Sequence, residues 1–104
     1  MQCDNALEVV QLELLLDLAD LVAQGFETAL LTALDELDGR VLFNRRLDDD
    51  PQYQRIAAVA LGPENEVALV FLDHSGTSTR TEDARASNHP LRDEALAAAN
   101  TEQN

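Results

Sequence analysis

From Asn5 to Gln24 thirteen of the twenty residues are leucine, valine or alanine, and four of the others are acids. Asn5 and Glu8 have capping-box spacing, Gly25 is a fitting terminator, and the composition between them favours helix, so the pattern predicts one helix across the stretch. Placing successive residues 100° apart puts Glu13, Asp17, Asp20 and Gln24 in a stripe roughly 60° wide, while apolar residues take roughly 240° of the remaining circumference from Leu12 onward. A helix lying on one side of a small domain needs an apolar arc of little more than about 100°. This one has more apolar surface than a single contact can hide.

The arc divides into a side with Leu7, Val10, Leu14, Leu18 and Leu21 and a side with Val9, Leu12, Leu16, Ala19 and Ala23, with Leu15 and Val22 between them. Continuation through Gly25 would extend only the second side and the middle. The second side is therefore expected to pack on the sheet and the first to meet a partner. The plain alternative is burial of both sides within one monomer. Leaving five such residues in water would forfeit up to about 10 kcal/mol, at roughly 2 kcal/mol each, which rivals the whole stability of a small domain.

Phe26 to Leu37 has apolar residues at helical spacing and Gly39 as a stop. A strand over Thr28 to Glu36, paired through an Asp38-Gly39 turn, is the rival, and the dominance of Ala, Leu and Glu favours helix. Val41 to Leu47 reads as a strand, Asp48-Asp49-Asp50-Pro51 breaks the chain with a possible helical turn at Pro51, and Ile56 to Leu61 and Val67 to Leu72 read as a hairpin around residues 62–65. In Val67 to Leu72 both alternating sets are apolar, so that strand should be covered on both faces. Residues 73–90 carry Ser, Thr, Asp, Arg and Gly with little apolar content, a composition of linkers. Pro90 to Asn100 has a weak Ala-rich helical pattern. The expected fold is α+β: a long N-terminal helical segment packed on a small antiparallel β-sheet in one domain over 1–72, then a flexible polar linker and marginal C-terminal helix over 73–104.

Charge sharpens the partner's chemistry. The 104 residues carry a net charge of -13, and every basic residue is arginine. Residues 1–39 hold nine acids and no base, against eleven acids and seven arginines in 40–104. Such a balance argues against a nucleic-acid or anionic-membrane binder, both of which need a basic footprint. No stretch approaches the roughly 18 apolar residues of a membrane span, and the N-terminus carries acids where a signal peptide would be basic, so a cytoplasmic location is the default expectation. The single Cys3 gives neither an intramolecular disulfide nor a cysteine zinc site, and reads as an incidental thiol.

Residues that invite catalytic readings lack the arrangement catalysis requires. Asp73-His74-Ser75-Gly76 holds the residue types of a hydrolase triad, but three consecutive residues cannot easily converge as serine, imidazole and carboxylate must. With no nucleophile elbow it reads as a turn. His74 and His89 lack metal-pair spacing, and Asp48, Asp49 and Asp50 lack the EF-hand pattern, so they are expected to be solvated or paired with Arg45 and Arg46. The four scattered glycines form no phosphate loop. No metal, cofactor or enzymatic activity is expected.

The function expected from these features is that of a small acidic regulator, a homodimer when free. It would bind a protein with an apolar groove and basic rim, blocking that partner's assembly or binding surface as an antiactivator or inhibitor of a transcription factor would. Leu7, Val10, Leu14, Leu18 and Leu21 form the apolar side, flanked by Glu13, Asp17 and Asp20. Rival readings are an acidic secretion chaperone cradling a segment along its sheet, and an immunity protein covering a toxin's basic site. A DNA mimic fits less well, because the apolar side is too large for a phosphate-like surface.

Overall fold

The structure is a computed structural model describing the backbone of residues 3–62 and 66–102 and the side chains of residues 8–62 and 66–99. The chain begins with three helices, α1 (Cys3–Leu18), α2 (Leu21–Gln24) and α3 (Phe26–Glu36). Four strands follow, β1 (Arg40–Arg46), β2 (Tyr53–Leu61), β3 (Glu66–Asp73) and β4 (Thr79–Asp83), and then a 3-10 turn (Ala84–Ala86) and α4 (Arg92–Glu102). The strands form one antiparallel meander in the order β1-β2-β3-β4. The fold is α+β, and residues 26–36 are helix rather than strand.

β2 and β3 occupy the middle of the sheet, which is why both of their alternating sets are apolar. Ala57, Val59, Leu61, Ala68, Val70 and Leu72 face one way and pack with Val9, Leu12 and Leu16 of α1 and Ala29, Leu30, Ala33 and Leu34 of α3. Ile56, Ala58, Val67, Leu69 and Phe71 face the other way and pack with Ala84 and with Ala95 and Ala99 of α4. The sheet is thus the middle of three layers. A bulge between Val41 and Phe43 shifts the β1 register, so that Val41 joins the first cluster while Leu42 and Phe43 both join the second.

Three expectations change. The helix foreseen over 5–24 breaks at Ala19 and Asp20: Asp20 is extended (φ -88°, ψ 90°), and its Oδ1 accepts the Ala23 N–H at 3.1 Å. Capping satisfies an otherwise orphaned donor and restarts the helix in a new direction. Likewise, the domain does not end at residue 72: the segment over 73–90 expected to be a polar linker supplies β4 and the 3-10 turn, and the helix expected beyond it, α4, packs on the sheet. β4 is polar because it is an edge strand: its ladder to β3 furnishes the hydrogen bonds, while Thr81 is its one buried residue. Pro51 starts no helical turn; it lies in bends before β2.

The marginal helix α4 finds its stability in tertiary contact. Ala95 and Ala99 let its backbone lie close to the sheet, and a two-pronged pair joins Arg45 of β1 to Glu94. The Arg45 guanidinium also stacks on Phe43, 4.6 Å from the ring centre.

Candidate functional site

The sequence places its strongest candidate on α1, and the break at Asp20 decides which residues remain there. Leu12 and Leu16 are 0% and 1% exposed, enclosed between α3 and the sheet. Val10, Leu14 and Leu18, spaced four apart and so stacked on one helical face, are 46%, 56% and 85% exposed. Leu21 does not join them. Had α1 run on, Leu21 would continue that stripe; restarting the helix at the Asp20 cap turns it inward, where it is 7% exposed in the core. Leu7's side chain lies outside the described residues.

Alongside the stripe, Glu13 is half-buried and Asp17 exposed. Asp20 is exposed too, but its carboxylate serves as the cap of α2, a structural duty that the periodicity of the sequence conceals. Between the end of α1 and α3 lies a shallow notch of about 190 Å³, walled by Leu15, Leu18 and Ala19 on one side and Ala29, Thr32 and Ala33 on the other. Glu36 and Gln24 stand among its lining residues. Leu18 belongs both to the stripe and to the notch, so the two form one continuous apolar surface. The notch arises because small residues at 19, 29 and 33 leave the two helices close but unfilled, a feature that sequence spacing alone does not reveal.

The hydrolase-like tetrapeptide forms the β3–β4 turn. The Asp73 carboxylate accepts hydrogen bonds from the Ser75 and Ser78 hydroxyls and from the N–H groups of Gly76, Thr77 and Ser78, at 2.9–3.3 Å. His74 turns away from Ser75 and places Nε2 2.7 Å from the Asp50 carbonyl oxygen. Burial pushes the Asp73 pKa up, but the hydrogen bonds from Ser75, Ser78 and Thr77 outweigh it, and the net shift is down from 3.8. A lowered carboxylate pKa adds stability above the unfolded-state value and loses it as pH falls through the folded one. Asp73→Asn should therefore lower the urea midpoint at neutral pH, with the gap to the parent closing once the pH is well below 3.8. A gap that stays constant into acid would refute this role.

The aspartate run is divided among different tasks. Asp50 Oδ1 accepts the N–H groups of Gln52 and Tyr53 at 2.8 and 2.9 Å, and these two bonds lower its pKa. Asp48 lies 3.9 Å from Arg46, while Arg45 is taken by Glu94 instead of the aspartates. Among the described residues no three His, Cys, Asp or Glu side chains come together to hold a metal ion.

A second concavity, unforeseen from the sequence, opens on the α4 side of the sheet with a volume of about 690 Å³. Tyr53, Phe71, Arg80, Glu82 and His89 are among its walls. Phe71 lies between Tyr53 and His89, with ring centres 5.0 and 5.3 Å away. Arg80 Nε donates to Glu82 at 2.9 Å, and that bond, reinforced by the carboxylate's charge, raises the Arg80 pKa. His89 Nδ1 accepts the Leu91 N–H at 3.1 Å, so the neutral ring carries its proton on Nε2. These residues come from three strands and a loop, each without a local motif.

Comparison of the chain with protein-family models, with curated proteins and with solved structures finds no match. No described helix is long and apolar enough to cross a membrane.

Proposed function

We propose that the protein is a non-catalytic regulator that binds a partner protein through the outer face of α1 and occludes the surface by which that partner assembles or binds, in the manner of an antiactivator or inhibitor of a transcription factor. The observation that carries this reading is the exposure of Val10, Leu14 and Leu18 in register along one helix. Scattered exposed aliphatics are ordinary on protein surfaces, whereas a contiguous row marks an interaction surface. The acids beside it favour a partner with a basic rim, which speeds encounter and discourages partners of the wrong charge. Binding would then draw the partner from its self-associated state by mass action. A chaperone cradling a segment along its sheet has less support, since helices cover both sheet faces.

Affinity capture from the source cell, comparing the parent with Leu14→Glu and Leu18→Glu, tests the reading. A specific protein should be captured by the parent and lost with either variant, while circular dichroism is unchanged. Retention by both variants would remove this face as the binding surface. Adding salt to the captured complex should weaken it only modestly if the leucines dominate, and tenfold or more if charge leads, as an immunity protein would require.

A further inference from the structure

The α1–α3 notch also constrains what the partner must bring. We infer that the partner contributes a cationic amphipathic helix, lying along the α1–α3 surface with one bulky apolar side chain, aromatic or leucine, seated in the notch. This inference rests on the binding reading above and specifies its partner.

Size is the first argument. A cavity of about 150 Å³ lined by apolar side chains is large enough to take benzene, and the notch offers about 190 Å³ between Leu15, Leu18, Ala29 and Ala33. One ring or one leucine fits; an extended strand of successive side chains does not. The exposed stripe of Leu18, Leu14 and Val10 leads away from the notch at helical spacing, so further apolar residues of the same partner helix have a row to pack against.

Charge is the second argument. The layer built from residues 3–39 has acids at 4, 8, 13, 17, 20, 27, 35, 36 and 38 and no basic residue. Glu36 at the notch and Asp17 beside the stripe are both exposed. A second copy docked by the same face would set this acidic layer against itself, so charge disfavours the homodimer here and favours lysine or arginine flanking the anchor.

The test uses a synthetic 18-residue helical peptide of leucines and lysines with one phenylalanine at the centre of its apolar face, titrated into the intact protein. Binding should be saturable at one peptide per chain and should shift the methyl resonances of Leu15, Leu18, Ala29 and Ala33. Replacing the peptide's phenylalanine by alanine should weaken binding about tenfold or more, and replacing its lysines by glutamate should abolish it. Thr32→Trp, which fills the notch from its exposed wall, should erase the difference between the phenylalanine and alanine peptides. Equal affinity of those two peptides for the parent overturns the inference. If Leu14→Glu nonetheless weakens both, the binding reading survives without the notch; if it weakens neither, both fall. A concentration-dependent dimer that Leu18→Glu dissolves would show a second copy as the occupant and overturn the inference as well.

Discussion

Leu12→Ala and Leu16→Ala should each lower the unfolding free energy by about 2–5 kcal/mol, whereas Leu14→Ala and Leu18→Ala, two positions further along the same helix, should change it by less than about 0.5 kcal/mol. The chemistry of the four changes is identical, so the contrast comes entirely from surroundings. Leu12 and Leu16 are enclosed among α3 and the inward residues of β2 and β3. Truncation there removes buried methyl groups and leaves a void that close-packed neighbours refill only in part. Leu14 and Leu18 already lie largely in water, so truncation removes little buried surface. Urea unfolding followed by circular dichroism reads all four. A loss above about 2 kcal/mol at position 14 or 18 that also grows with protein concentration would mean that a second copy covers the stripe.

Gly39→Ala should cost about 1–3 kcal/mol, a large fraction of the stability of a chain this size. Gly39 sits where α3 turns into β1, and its N–H donates to the Leu34 carbonyl at 2.8 Å, closing the end of the helix. The intervening Asp38 takes the left-handed conformation (φ 54°), completing a turn of the Schellman type. A Cβ at position 39 would lie 2.8 Å from Leu34 Cδ2, 3.0 Å from the Ala60 carbonyl oxygen and 3.1 Å from Leu61 Cδ2. Leu34 and Leu61 belong to the first core cluster, and Ala60 O is backbone, so neither side can give way cheaply. The urea midpoint of Gly39→Ala against the parent measures this. An unchanged midpoint would show that the α3–β1 corner is looser than these distances require.

Much of the architecture was legible in the chain because period and punctuation agree. The doubly apolar pattern of Val67 to Leu72 called for cover on two faces, and the first cluster with α1 and α3 and the second with α4 supply it. The helix over 26–36 followed from composition against a credible hairpin rival. β4 was illegible for the opposite reason. An edge strand takes its hydrogen bonds from a neighbour distant in sequence and buries little of its own, so its polar composition reads as a linker. The same limit hid the surroundings of Tyr53, Phe71, Arg80 and His89, which only the sheet brings together.

The division on α1 separates the two sources of information most clearly. Sequence alone determined that this helix carries more apolar circumference than one contact can bury, that Leu12 and Leu16 lie on a different side from Leu14 and Leu18, and that the first 39 residues are acidic without a compensating base, because helical periodicity and charge are local properties. Tertiary structure decided the rest: that Leu21 turns inward, that Asp20 serves as a cap, and that small residues at 19, 29 and 33 leave a notch beside Leu18. Those outcomes depend on where a helix stops and what its neighbour fails to fill, and both are set by packing between segments that the chain's linear order does not place together.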